Sequence, residues 1–460
     1  MKDKKILAGL VALALAAAGA MYMLPKLSAN DGAGTSSEIQ TQSTDISSGQ
    51  NITKGGTYSI SGESKGTIYI DTKDSVTLVL DGAALTSDRG PAIYVADAGS
   101  ITINTVSDST ITVSGTDSTG EDAAIFSKDD ITLTGSGTLT VKSRDGDGIH
   151  ANDSLTIESA TIDIEAAADG IDVNDYFTYT SSNVTIDAGS DGIDSGDEDS
   201  ITSAEDVLIT LNGGKLVIKS IDDGIRTLGS MTNNGTDITI KAEGGRSRTA
   251  KGIKLDGSFT TSSGSITIDA SDDGINANAN VTIKSGILTI DSEDDCIHAD
   301  YMLTVDGGTL KLTGHEGLEA TLVTVNDGTI DISASDDGIN AAKKVDGVTP
   351  LVEINGGQIT ISMAAGDTDA IDSNGNITIN GGTISITGQS GFDWDGSAQL
   401  NGGTVTVNGT QVSSLTNQMM GGMGPGGGGM MPGQQGGFAP GQNGGMQPGQ
   451  NSGMRPGRRG

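Results

Sequence analysis

The sequence predicts an all-β solenoid, a single-stranded parallel β-helix built from coils of about 21–22 residues, and three observations carry that reading. An Ile or Leu follows an acidic turn at Ile149, Ile171, Ile193, Ile225, Ile253, Ile275, Ile297, Leu318, Ile339 and Ile371. Most steps between these anchors are 21 or 22 residues, and the longer ones read as loop insertions into one basic unit. Of 460 residues 70 are Gly, only 3% are aromatic and one is Cys. That composition suits a turn-rich repeat better than a conventional globule.

Taken in chain order, residues 1–30 have a basic head (Lys2, Lys4, Lys5) and then an apolar run from Ile6 to Leu24. They read as an export signal, with Ala18 and Ala20 framing a cleavage site, or as an N-terminal membrane anchor if left uncut. The expected location is extracellular, secreted or tethered to the cell surface. Residues 31–46 are a linker, and residues 47–416 hold the repeats, with weaker copies around Ile93, Ile125 and Gly391–Gly396. Within one unit, "NVTIKSGILTIDSEDDCI", two runs (Val281–Ile283 and Ile287–Ile290) flank a Ser-Gly turn, and the anchor Ile starts a third. Each run is short and apolar at period 2, the signature of a half-buried strand. Three strands and three turns make one coil.

Stacked coils bring like residues into columns about 4.8 Å apart. Ile, Val and Leu point inward, and Thr102, Thr132, Thr156, Thr185, Thr239, Thr267, Thr282, Thr304, Thr324 and Thr378 line the outside. Such Thr ladders can bind ice or flat sugars, but β-branched Thr first of all suits an exposed strand. The lone Cys296 has no disulfide partner, so stability must come from stacking. Residues 417–460, rich in Gly, Met, Pro and Gln and tipped by Arg455, Arg458 and Arg459, read as a disordered tail.

Acids outnumber bases 60 to 26, a formal charge of −34. A nucleic-acid backbone would be repelled, whereas cations would be attracted. Two positions before the anchor stand Asp147, Asp169, Asp191, Asp223, Lys251, Asp273, Asp295, Glu316, Asp337 and Asp369, preceded in four coils by Asp222, Asp272, Asp294 and Asp336. One position after it stand His150, Asp172, Asp194, Arg226, Lys254, Asn276, His298, Glu319, Asn340 and Asp372. Asp-Gly turn chemistry explains part of this, with Asp bonding its own backbone and Gly supplying an unusual φ. Yet Cys296 and Ala370 replace that Gly, and Asn would serve the turn without charge. Neighbouring carboxylates at that spacing repel by roughly 0.9 kcal/mol even in bulk water.

Calcium would offset the repulsion, because it takes six to eight oxygens in flexible geometry. The candidate ligands are Asp147, Asp169, Asp172, Asp191, Asp194, Asp222, Asp223, Asp272, Asp273, Asp294, Asp295, Asp336 and Asp337. Two clusters stand out: Asp169 and Asp172 beside Asp191 and Asp194, and Asp272 and Asp273 beside Asp294 and Asp295. His150 and His298 lie six coils apart, about 29 Å, too far to share an ion. Both read as solvated or turn histidines.

The repeated "DGI" units with their flanking strands, as in "SITIDASDDGINANANVTI" and "LVTVNDGTIDISASDDGINAA", resemble the extracellular carbohydrate-binding domain-containing family, as do the exported N-terminus and the tail. The resemblance covers roughly Ser47–Gly409. It implies an acidic, calcium-binding, right-handed single-stranded parallel β-helix, similar in fold to pectate lyases. It also implies binding of extracellular polysaccharide, cellulose or acidic pectin-like glycans, without cleavage. An anionic rod would need calcium bridging to hold an acidic sugar. Candidate sugar-stacking rings are Tyr176, Phe177 and Tyr179, while Phe392 and Trp394 read as a hydrophobic cap.

Two other functions stay open. A calcium-dependent pectate lyase needs a basic residue to remove a proton beside the uronate carboxylate. Arg226 and Lys254, consecutive in one column near Lys251, Lys241, Arg246 and Arg248, are the candidates for that role and for substrate binding. The competing account has these bases relieving charge by pairing with Asp222 and Asp223. A structural adhesin or matrix protein would use its acidic columns only to stiffen the rod.

Overall fold

The computed structural model describes residues 42–43, 49–115, 122–197, 207–245, 249–366 and 368–417. The expected export segment, most of the linker, Arg246, Arg248 and nearly all of the tail lie outside them. Every described strand pairs in parallel with its copy in the next coil, except for one terminal hairpin. This is a parallel β-helix.

The strands form where apolar residues alternate with polar ones. In the coil beginning at Ile275, strands Ile275–Ala277, Asn280–Ile283 and Ile287–Ser292 bury every second side chain. Each pairs in register with the following coil, Ile275 against Ile297, Val281 against Leu303 and Leu288 against Leu310. We call these the anchor, middle and third strands. Fully burying one such Ile, Val or Leu contributes about 1.5–3 kcal/mol. The inward columns merge into one continuous apolar interior.

The anchor register runs through all ten expected positions. It takes in Ile93 and Ile125 upstream, and Phe392 follows Ile371 downstream. A coil anchored by Ile68 precedes Ile93, and the strand Gln50–Ile52 stands in register before that. At the other end Thr404–Val407 folds back antiparallel on Thr410–Val412. Asn408 and Gly409 supply the two positive φ angles, 51° and 77°, that a tight two-residue hairpin turn requires. Phe392 is buried and Trp394 packs on the core, as expected of a cap.

Two expectations need correction. The outward Thr residues belong to two faces. On the middle strand an unbroken column runs Thr57, Thr77, Thr102, Thr132, Thr156, Thr178, Thr210, Thr232, Thr260, Thr282, Thr304, Thr324. Thr185, Thr239 and Thr267 lie on the third strand instead, in register with Asp163 and Val217.

The Gly before the anchor, moreover, is not there for a positive φ. Gly148, Gly170, Gly192, Gly224, Gly252 and Gly274 keep ordinary φ values. A Cβ on Gly170 would lie 2.2 Å from Ile186 Cγ2 and 2.6 Å from the Gly192 carbonyl oxygen. Close approach of the turn to the third strand is what excludes a side chain. Cys296 stands where Leu312 replaces the branched Ile of the preceding coils, and Ala92, Ala124 and Ala370 fill the position toward the two ends.

Candidate functional site

The acidic turn and the outward residue of the anchor strand form one strip along the helix. Its first component is a chain of hydrogen bonds from coil to coil. The Asp169 backbone N–H donates to Asp147 Oδ1 (3.0 Å), that of Asp191 to Asp169 Oδ1 (2.7 Å) and that of Asp223 to Asp191 Oδ1 (2.7 Å). The same bond joins Lys251 to Asp223 (2.8 Å), Asp295 to Asp273 (3.2 Å) and Asp369 to Asp337 (3.2 Å). One carboxylate oxygen of each Asp thus accepts a backbone N–H of the next coil, the Asp369 N–H being shared with the Asp336 carbonyl.

In several coils the other oxygen faces the residue that follows the anchor, and there charge is handled in two ways. In some coils a base answers it. Arg226 Nη1 lies 2.9 and 2.8 Å from the two Asp194 oxygens, and Lys254 Nζ is 3.3 Å from Asp223 Oδ2. Lys251 Nζ sits between Asp272 Oδ1 (3.1 Å) and Asp273 Oδ2 (2.5 Å). His150 Nδ1 is 2.9 Å from Asp172 Oδ2, and His298 Nδ1 is 2.6 Å from Glu319 Oε2 and 3.1 Å from Asp295 Oδ2. Burial alone would lower both histidines, but the carboxylates on their rings outweigh it and raise each to about 10. Glu319, likewise buried, is held down to about 2 by His298 and Lys344.

In other coils burial and neighbouring acids dominate. Burial, then Asp223 and Asp169, push Asp191 up to about 8, and burial with Asp147 raises Asp169 to about 6. Further along, burial with Glu319 and Asp295 raises Glu316 to about 9. Burial with Asp372 and Asp336 raises Asp337 to about 7, and burial with Asp393 raises Asp372 to about 6. Burial and like charge disfavour the ionised form of these carboxylates, and either a bound proton or a nearby cation relieves that cost. In the second stretch Asn340 is buried and its Oδ1 has no hydrogen-bond partner, while its Nδ2 donates to Glu316 at 3.1–3.2 Å. An orphaned amide oxygen among carboxylates is a donor set of the kind a hard divalent ion takes. Ligand atoms within 4.8 Å of one another also come from Asp191, Asp222 and Asp223.

A family model for carbohydrate-binding domain-containing proteins matches residues 48–317, 279–367 and 297–423. The chain belongs to the carbohydrate-binding domain-containing protein family. A protein of that description from Acetivibrio thermocellus is 32% identical over an alignment of 126 residues that covers 25% of this chain and 44% of that one. The chain therefore spans less than half the length of that relative. A solved structure described as the polysaccharide lyase-like protein from C. thermocellum, gadolinium derivative, is 28% identical with a TM-score of 0.41, covering 46% of this chain and 86% of that one.

In this carbohydrate-binding domain the expected site residues divide by what surrounds them. Asp147, Asp169, Asp172, Asp191, Asp194, Asp222, Asp223, Asp294, Asp295, Asp336 and Asp337 all stand on the strip. The expected cluster of Asp272 and Asp273 with Asp294 and Asp295 does come together, burial and then Asp273 and Asp272 raising Asp294, and a base joins it: Lys251 sits on the first two, with Thr249 Oγ1 on Asp272 and Asn276 Nδ2 on Asp273. The histidines are ion-paired rather than merely solvated. Phe177 and Tyr179 are fully buried and present no face to a sugar. Their positions alternate inward on the strand Tyr176–Ala188, and the Tyr179 hydroxyl bonds the carbonyls of Ser182 and, at 2.6 Å, Lys215. Tyr176, 47% exposed, points outward. Asn340, Glu316 and Asp372 stand in the sequence columns, where nothing but their position marks them as ligands. Asn340 could have been found by noting an amide where most coils carry a charge.

Proposed function

We propose that this chain is an extracellular polysaccharide-binding β-helix whose acidic strip holds calcium and which binds its glycan without cleaving it. The observation that carries this is the pair of stretches with raised acid pKa values, Asp169 with Asp191 and Glu316 with Asp337 and Asp372, the second with the unpartnered Asn340 oxygen. Calcium there would neutralise the strip and offer open coordination positions to sugar hydroxyl and carboxylate oxygens. Glu316, Asp337, Asn340 and Asp372 would hold one ion, and Asp191 with Asp222 would contribute to another, where Asp223 is already shared with Lys254. Family membership supports a carbohydrate ligand.

The pairing of Arg226 with both oxygens of Asp194, and of Lys254 with Asp223, supports binding over elimination. A guanidinium clamped by a carboxylate is held in its protonated form and is a poor proton acceptor. The test is retention of the protein on polygalacturonate and on cellulose, with calcium and with EGTA, while the soluble phase is assayed for unsaturated sugar ends. Retention that chelation weakens, with no unsaturated product, is expected. Product that disappears in Arg226→Ala or Lys254→Ala would replace this reading with a lyase. Retention on no glycan at all would leave the adhesin.

A further inference from the structure

The outward column of the anchor strand does not begin with acids. In register it runs Asn51, Tyr69, Tyr94, Phe126, His150 and only then Asp172. The rings form an offset stack, with centroids 5.3 Å apart from Tyr69 to Tyr94, 5.1 Å from Tyr94 to Phe126 and 5.0 Å from Phe126 to His150. Phe126 is buried within the stack, Tyr94 is half-buried, and Tyr69 at its open end is 36% exposed. Aromatic residues make up only 3% of the chain, yet three occupy successive coils on one face.

Beside this open end lies a groove of about 620 Å³, formed by Asn51, Thr67, Tyr69, Arg89, Pro91 and Tyr94. Its size falls in the range of small-molecule sites. Among the described residues no carboxylate lines it, whereas the groove at Lys241 is bordered by Glu243, Asp269, Asp291 and Glu293. Arg89 is exposed and makes no ion pair among the described residues. Lys128 Nζ lies 5.9 Å from the Tyr94 ring centre. In a chain of charge −34, this end of the strip is where protein cations and aromatic rings meet. Stacking of the rings on one another stabilises the coils, but it explains neither the groove nor the cation beside it.

We propose that the groove is a second, calcium-independent subsite that seats one uronate unit of an acidic polysaccharide. The apolar C–H face of the pyranose lies on the exposed part of the Tyr69 ring, Arg89 pairs with the sugar carboxylate, and Asn51 and Thr67 meet its hydroxyls. A glycan lying along the rod would reach the calcium-holding stretches of the same strip farther on. The inference rests on the polysaccharide reading above and adds the place of the subsite and its independence from calcium.

Calorimetric titration of the full chain with a short oligogalacturonate in EGTA tests it, with a neutral cello-oligosaccharide as comparison. Binding of the acidic sugar is expected, weakened about tenfold or more by Tyr69→Ala and by Arg89→Gln. Arg89 is exposed and outside any ion pair among the described residues, so its variant keeps the fold and decides the matter even if Tyr69→Ala does not. Wild-type affinity in the Arg89 variant, or equal affinity for the neutral sugar, overturns the uronate subsite. Oligogalacturonate binding that needs calcium also overturns it and leaves the polysaccharide reading standing. Absence of binding to either sugar, with or without calcium, removes both.

Discussion

At the scale of the residue, each column Asp does two jobs with two oxygens. Asp191 Oδ1 accepts the Asp223 N–H of the next coil, and the carboxyl as a whole carries the charge that the neighbouring acids oppose. Asn can do the first and not the second. Asp191→Asn should therefore leave calcium-free stability near wild type while reducing the rise in melting temperature on adding calcium. Asp191→Ala strands a buried N–H and should cost about 1–3 kcal/mol in either condition. Melting all three proteins with and without EGTA separates the roles, and identical behaviour of the Asn and Ala variants would refute the division. The recurrence of Asp was plain in the sequence. The inter-coil acceptor was not, because the bond joins residues 22 or more apart whose approach depends on exact coil length. Nor did the sequence show why Gly148 through Gly274 lack side chains, since the obstacle is an Ile on another strand.

At the scale of the element, alternation located the strands, but short runs left ambiguous which face each outward residue occupies. In sequence the Thr residues therefore form a single ladder, which the registers separate into two. Alternation itself, followed along Tyr176–Ala188, would have placed Phe177 and Tyr179 inside. Aromatic chemistry argued for the outside, and packing prevailed. This strand runs from the middle to the third face without a break, turning at Ser181, whose φ is 50°. Tyr179 braces that corner through the Ser182 carbonyl and the Lys215 carbonyl of the next coil. Tyr179→Phe should lower stability by about 1–3 kcal/mol through the unsatisfied carbonyls and leave glycan affinity unchanged. Loss of glycan affinity at unchanged melting temperature would give the hydroxyl a role in sugar binding. An asparagine ladder was also missed. Asn355 donates to Asn326 (2.9 Å), Asn380 to Asn355 (2.8 Å) and Asn401 to Asn380 (2.9 Å). The insertion between Ala341 and Leu351 had hidden its period.

At the scale of the molecule, the acidic strip makes stability a function of both protons and calcium, and the sign follows from the shifts. Asp191 at about 8, Glu316 at about 9 and Asp337 at about 7 lie far above the 3.8 or 4.5 of free carboxylates. Across the interval between those values the native protein holds protons that the unfolded chain has released, so stability falls as pH rises. His150 and His298, raised from 6.5 to about 10, contribute stability that is full below 6.5 and lost as pH climbs through 10, which acts in the same direction. Glu319, held at about 2, opposes this only in acid: its contribution is present above 4.5 and lost as pH falls through 2. In EGTA the melting temperature should decline steadily from about pH 5 to about pH 9. Calcium would take the place of those protons, so its stabilising increment should grow over the same interval and flatten the profile. A profile indifferent to EGTA at high pH would show that the strip tolerates its own charge without a metal, and that lysine, arginine and histidine rungs suffice to hold the rod together.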